Sequence, residues 1–466
     1  MRLILTIVFT ATFLSILNTS MVNVALPTIM NEFGVDFQKS IWLSTGYMLI
    51  YAIAMPIFGS LGDMYGTKKV FLLGIFIFSF GSFLCSMADG FWYLLLFRAI
   101  QAIGAAAVMP NGMVLAINPF ALELRGEILG WWGMVSSAGS LVGPTLGGFL
   151  TEHYSWHSIF YVNVPFAVAV LLLGSKYLPS VSHQKHPGKF DGLGALFLTI
   201  PLVSLLTIIT LISSQGLFHL QILLPAAIFV IFIILFIGRE KQIKNPLISI
   251  ILFRSIPFSA TIVTTLIQSM AMFGGLLLIP MYLQHVHEFS PSYSGLLVLP
   301  LSITMMIMSP IAGQLSSKKD IRTLIIIGMI MIIISLILFS TLKLESRYLL
   351  LALALATMGF GIGISNTPLS ANLVNLVSQV QMGMASGVFN MTRYLGGVIG
   401  STIFGAFMQF RLNYYTVSMQ QADPLSANSA KLAMIAAFHD VYLLIAAVTV
   451  LGVVVAYYTN PSTTRN

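Results

Sequence analysis

The feature that most constrains this chain is the recurrence, from one end to the other, of apolar runs about twenty residues long, separated by short polar stretches. A bilayer core about 30 Å thick takes roughly 20 residues of helix per crossing. Runs of that kind at 4–30, 41–61, 70–88, 91–117, 127–151, 159–178, 192–213, 221–238, 256–283, 295–315, 323–342, 348–375, 386–410 and 441–459 predict fourteen transmembrane helices. The fold class expected is therefore an all-α polytopic membrane protein. With 57% of residues hydrophobic and 8% charged, a soluble globular fold is excluded. The opening "MRLILTIVFTATFL" is followed by no small-residue cleavage site, so it reads as a retained first helix. The lone Cys85 lies in an apolar run, which leaves no disulfide framework and no cysteine metal site.

The net charge of +8 would suggest nucleic acid in a soluble chain. Its distribution gives another explanation. An even number of spans puts both termini on one side, and fifteen lysines and arginines fall there, among them Lys68, Lys69, Lys185, Lys189, Lys244 and Arg465. Five fall on the other side: Lys39, Lys343, Arg347, Arg411 and Lys431. The positive-inside rule then places both termini in the cytoplasm.

A faint repeat relates "GSLGDMYGTKK" (59–69) to "GQLSSKKDIR" (313–322), each at the cytoplasmic end of the second helix of a six-helix block. The expected organisation is an N-terminal bundle over 1–180, a linker with two inserted helices over 181–250, and a C-terminal bundle over 251–466. Two related bundles with a path between them is a common plan of secondary transporters. The chain has no GxxxxGK[ST] phosphate loop, so any uphill transport draws on an ion gradient rather than on ATP.

Several segments carry mechanism. In span 5, Gly139, Gly143 and Gly147 recur every four residues and line one helix face, and Pro144 removes a ladder hydrogen bond. Tight packing alone accounts for such a face; a pivoting helix would need it too. Arg98 lies inside span 4, where a guanidinium is costly unless it is paired or snorkels. Asp63 reads as a turn acid beside Lys68 and Lys69. Arg393 in span 13 suits either snorkelling or a cavity. Span 12, "GFGIGISNTP", is loosened by glycines and interrupted at Asn366 and Pro368, a plausible cavity wall. "HVHEF", with His285, His287 and Glu288, reads as a solvated outer loop in preference to a metal site.

These motifs also resemble a known family. "GSLVGPTLGG" (139–148) is similar to the antiporter motif gxxxGPxxGG of the major facilitator superfamily, and "GSLGDMYGTKK" to its loop motif GxLxDxxGxxK. "RAIQAIGAAA" (98–107) resembles the span 4 motif RxxQGxGaa. "NVALP", "WHSIFYVNVP", "FDGLGALFLT" and "GMASGVFNMTRYLGG" look like the fourteen-helix drug:proton antiporter branch. The resemblance implies the major facilitator fold, two six-helix bundles plus two inserted helices. It also implies that Arg98, partnered by Gln101, takes part in proton coupling, and that Asp63 helps lock one conformation by bonding across the bundle interface. The arginine that commonly follows that acid is Met64 here, and Ser317 stands at the matching acid position of the second copy, so a one-sided latch is expected. Ala102 replaces the usual motif glycine.

None of the fourteen carboxylates is placed in the middle of a span. Branch members that expel lipophilic cations often carry an acid in span 1 in an LDxT-type pattern, whereas this chain has Leu17-Asn18-Thr19. The related tetracycline exporters place an acid in span 5 where this chain has Ser140. Attraction of a permanent cation in a low-dielectric cavity normally relies on a buried anion. Neutral, zwitterionic or anionic amphipaths are the substrates expected. The residues assigned to a substrate cavity are Asn18, Asn23, Trp131, Asn366, Asn390 and Arg393. Those assigned to coupling and conformation are Asp63, Arg98, Gln101 and Glu127, with Gly139, Gly143, Pro144, Gly147 and Gly148 as the antiporter motif. Asp191 and Glu152 are further candidates for the proton.

The expectation is a proton-driven exporter of small amphipathic compounds, monomeric, in a bacterial cell membrane. Its partners are substrate, protons and the lipid bilayer, with no nucleic acid, no cofactor, no metal and no enzymatic activity. A lipid or glycolipid flippase would use the same scaffold with a lateral opening. A non-transporting membrane sensor would need an added soluble domain or long tail.

Overall fold

The computed structural model describes residues 2–35, 37–40, 42–179, 190–215, 220–243, 246–289, 291–346, 348–422 and 429–460. Among them all regular structure is helical, as a lipid environment requires of an open chain that must satisfy every backbone N–H and C=O within its own segments. We label the longer helices in chain order: α1 Arg2–Phe33, α2 Trp42–Tyr65, α3 Thr67–Cys85, α4 Phe91–Ile117, α5 Leu122–His153, α6 Asn163–Tyr177 and α7 Gly192–Gln215. They continue with α8 Leu223–Glu240, α9 Ile256–Met281, α10 Leu299–Ser316, α11 Ile321–Ser340, α12 Tyr348–Leu376, α13 Met382–Ala422 and α14 Ser429–Ala456.

Twelve helices among the described residues are long and apolar enough to cross a membrane, against the fourteen expected. The two that fall short do so for different reasons. α5 opens on "LELRGE" and continues through a glycine- and serine-rich segment, which lowers its apolar character. α7 runs apolar from Gly192 to Gln215 and is not among the twelve because only Gly192–Leu205 of it is continuously described. Lys185 and Lys189, the start of the expected linker at 181, Asp36, Lys244, Arg347, Asp423 and Arg465 lie outside the described residues. One boundary moves appreciably. α14 begins at Ser429, so Asp440, expected at the outer edge of a span, lies within the helix, where it pairs with Arg411 of α13 and accepts from the Tyr415 hydroxyl at 2.8 Å.

The chain forms two compact units. The first comprises Met1–Thr199, Leu235–Leu252 and Leu373–Tyr394. Its centre is α4, which is buried along most of its length. Small residues explain that burial: a Cβ on Gly104 would strike the Phe78 backbone and stand 2.7 Å from the Gly74 carbonyl, so α3 and α4 meet backbone to backbone. The second unit comprises Ile200–Ile234, Phe253–Asn372 and Leu395–Asn466. Within it Gly361 of α12 meets the Gly328 carbonyl and Ile332 of α11 in the same spacing, 2.7 and 2.9 Å from a built Cβ.

A second correspondence is sharper than the loop repeat. In the first unit, Gly143 and Gly147 of α5 face Leu17, Ser20 and Met21 of α1. In the second, Gly396 and Gly400 of α13 face Leu266, Ser269 and Met270 of α9. The two segments read "LNTSM" and "LIQSM". Each unit is thus built around the same close helix crossing, with the same residues at the contact.

Candidate functional site

The polar centre of the first unit is Arg98. It enters α4 two turns from the helix start and is only 1% exposed, so it does not snorkel. Its Nη1 donates to Asn18 Oδ1 of α1 at 2.8 Å and to Gln101 Oε1 at 2.7 Å, while Nε and Nη2 donate to the Leu43 carbonyl of α2 at 3.3 Å. Gln101 in turn donates to Ser82 Oγ of α3 at 2.6 Å. The guanidinium lies over the Tyr47 ring, 4.0 Å from its centroid. One arginine therefore ties four helices together, and each of these acceptors is neutral.

A buried cation held only by amides, a carbonyl and an aromatic face is well hydrogen-bonded yet uncompensated in charge. Asn18 Nδ2, itself buried, has no hydrogen-bond partner. The cluster offers positive charge and a spare donor, an arrangement that accepts electron density and repels cations. The matching positions of the second unit are apolar. Aligning Gly361 on Gly104 and Gly328 on Gly74 puts Leu355, Met358 and Leu336, all 0% exposed, where the first unit has Arg98, Gln101 and Ser82. Aligning the Leu-x-x-Ser-Met segments puts Ile267 opposite Asn18.

The glycine face of α5 packs on α1. A Cβ at Gly143 would collide with Ser20 Cβ, one at Gly147 would stand 2.8 Å from Met21 Cα, and one at Gly139 3.2 Å from the Phe13 carbonyl. Gly148 is looser, with Val24 Cγ1 at 3.8 Å. Pro144 lies inside α5 on its exposed side.

Asp63 stands near the end of α2 and accepts the backbone N–H groups of Gly383 at 2.9 Å and Met384 at 2.7 Å. These are first-turn donors of α13 that have no partner inside their own helix. Gly59, one turn before Asp63, meets the Gly383 carbonyl without a side chain between, and that crossing sets the carboxylate on the helix N-terminus. A carboxylate there is worth roughly 0.3–1 kcal/mol, and up to about 2 when partly buried. Asp63→Asn is expected to weaken this contact by about 1–2 kcal/mol, a five- to thirty-fold shift between the clasped and open arrangements. Labelling of a cysteine placed at Met384, buried beside the carboxylate, would report it, and an unchanged rate would show that the charge holds nothing.

The remaining expected residues do not join the Arg98 cluster. Asn23 is exposed and accepts from Ser44 Oγ at 2.7 Å. Trp131 is 40% exposed, whereas its neighbour Trp132 packs edge-on against Phe9. Asn390 is buried but donates to the Ser386 carbonyl of its own helix at 2.9 Å. Arg393, Glu127 and Asn366 are half-buried, Asn366 in the second unit. In the "HVHEF" stretch the three side chains go separate ways: His285 to the Met281 carbonyl, His287 to the Tyr282 hydroxyl and Glu288 to Lys431. The Lys431 ammonium holds the Glu288 carboxyl below the usual range, and burial holds His287 below its own.

Sequence reasoning missed Tyr47, Ser82 and the Leu43 carbonyl. An aromatic residue, a serine and a backbone oxygen in apolar spans carry no distinguishing pattern, although Tyr47 stands one turn after Leu43 on α2.

Two units repeating one helix crossing, inside a chain of membrane-length helices, define a multi-pass membrane protein. The chain matches the Major Facilitator Superfamily over residues 8–401, and it belongs to that family. The riboflavin transporter RibZ of Clostridioides difficile is 29% identical over 412 residues, 88% of this chain and 89% of that protein. Multidrug resistance protein 3 of Bacillus subtilis is 31% identical over 414 residues, 88% and 80%. The multidrug export protein EmrB of Haemophilus influenzae is 30% identical over 395 residues, 84% and 78%. Among solved structures, the human organic anion transporter MFSD10 shares the fold, with a TM-score of 0.71 over 98% of this chain and 99% of that one at 14% identity.

Proposed function

We propose that this chain is a proton-coupled antiporter that exports small amphipathic compounds by alternating access. The bundles would be residues 1–180 and 251–466, with a pair of inserted helices between them. In this reading all fourteen long helices cross the membrane, both termini are cytoplasmic, and the protein works in the cell membrane. Relatives named as multidrug transporters support a small-molecule substrate.

The observation that carries the substrate class is the charge state of the Arg98 cluster. A guanidinium at 1% exposure whose acceptors are neutral raises the potential along α1 and α2. A permanent cation is disfavoured there, and neutral, zwitterionic or anionic amphipaths are favoured. The stacked rings of Tyr47 and Tyr51, 5.7 Å apart, followed by Tyr394 at 4.8 Å, add an aromatic wall on the same side.

Asn18→Asp tests this reading. An aspartate at that position meets Arg98 Nη1 and cancels the buried charge. Export of lipophilic cationic dyes is expected to rise by about tenfold, an effect of about 1.4 kcal/mol. Cation selectivity that does not change would take Asn18 and Arg98 off the substrate path.

A further inference from the structure

The foot of the inserted helix pair holds two buried carboxylates and one guanidinium. Asp191, just before α7, has a side chain 2% exposed. Arg239 of α8 grips it in bidentate fashion, Nε at 2.8 and 3.0 Å from Oδ1 and Oδ2 and Nη2 at 2.7 Å from Oδ1, and the Gly194 N–H donates to Oδ1 at 3.0 Å. Glu240, the last residue of α8, is 4% exposed. Its Oε2 accepts the Ile248 N–H at 3.1 Å, but its Oε1 is buried with no hydrogen-bond partner.

That oxygen and one oxygen of Asp191 both border Gly194. A Cβ on Gly194 would stand 2.8 Å from Glu240 Oε1 and closer still to Asp191 Oδ2, so the two oxygens converge on one small space that only a glycine leaves open. The charged groups acting on Glu240 are Asp191 and Arg239. Neighbouring Lys241 is exposed, and the adjoining Ser249 N–H meets the neutral Met384 sulfur at 3.1 Å. Arg239 is already committed to Asp191. Two neighbouring acceptors with one negative charge unmatched lack a hydrogen.

We propose that Glu240 and Asp191 form a proton-binding site in which a proton taken from water on Glu240 Oε1 is donated to Asp191 Oδ2. With the proton in place, Asp191 and Arg239 balance, Glu240 is neutral, and the clamp joining α7, α8 and the 246–249 segment is closed. When the proton leaves, two carboxylates confront each other and the hold of Glu240 on Ile248 loosens. The site makes the inserted pair pH-responsive and needs no assumption about which ion drives transport.

The test uses the full-length protein in detergent, where no gradient exists. Cys85 is buried, so a cysteine at Ser249, which is 5% exposed, reports the clamp, with a second variant carrying a cysteine at exposed Gln242 to correct for thiol ionisation. The corrected maleimide rate at Ser249→Cys should rise at least about fivefold from about pH 6 to about pH 8.5, while Glu240→Gln, whose amide donates permanently, should stay slow throughout. A corrected rate that is flat with pH overturns the proposal, as does an identical pH profile in Glu240→Gln. An infrared difference spectrum of the otherwise unaltered protein between the same pH values is a second readout, and the part of it missing from Glu240→Gln belongs to the site. Loss of a protonated-carboxyl C=O band on raising the pH is expected, and its absence contradicts the site even if the glutamine variant folds poorly.

Discussion

Arg98→Ala should insert and fold yet lose uphill transport almost entirely, by about a hundredfold or more. The truncation removes the donor that Asn18 Oδ1, Gln101 Oε1 and the Leu43 carbonyl share, and empties the space above the Tyr47 ring. Each acceptor left buried without a donor costs about 1–3 kcal/mol, so a fall in thermal stability in detergent accompanies the loss. Arg98→Lys separates charge from geometry. An ammonium keeps the charge but cannot reach the Leu43 carbonyl and both amides with a planar fork, and it is expected to retain a small fraction of transport. Gradient-driven uptake in proteoliposomes, normalised to inserted protein, measures both. Undiminished export by Arg98→Ala would remove the residue from the mechanism.

Gly143→Leu should be as damaging for a steric reason. The Cβ alone falls on Ser20 Cβ and 3.3 Å from the Leu17 carbonyl, and leucine adds three further carbons to a contact with no slack. α5 and α1 must separate, and a helix that pivots on its neighbour then loses the surface it pivots on. Gly148→Ala, whose Cβ would meet only Val24 at ordinary contact distance, is the tolerated control. Partial rescue of Gly143→Ala by Ser20→Gly would show that the collision lies between these two side chains, since coupled substitutions at a contact are non-additive. Normal transport by Gly143→Leu would mean that the crossing opens freely.

How much of this was legible in the chain depends on what each feature is made of. The four-residue glycine period at 139, 143 and 147 read directly as a packing face, because a helix puts such positions in line. Arg98 and Gln101, one turn apart, were readable as a pair. Their union with Asn18 of α1 was not, since nothing in sequence relates positions eighty residues apart. The partners of Asp63 are backbone N–H groups, which no side-chain letter records. The "LNTSM" and "LIQSM" repeat was overlooked because its recurrence is spread over two elements in each unit, and three shared letters in five carry little weight until the glycines facing them are seen. Asp191 reads from the chain as one of several candidate acids; its neighbour Glu240 is visible only where the ends of α7 and α8 come together.

The two units share a crossing but not a chemistry. One carries arginine, glutamine and asparagine where the other carries leucine, methionine and isoleucine.

The most direct measurement of the central claim is luminal pH in inside-out vesicles that contain the protein and hold an acidic interior, during addition of a panel of neutral, anionic, zwitterionic and cationic amphipaths. The account predicts that at least one compound from the first three groups accumulates in the lumen while the lumen becomes more alkaline, and that both effects vanish in Arg98→Ala vesicles. Accumulation with no change in luminal pH, or undiminished by collapse of the proton gradient, would contradict it.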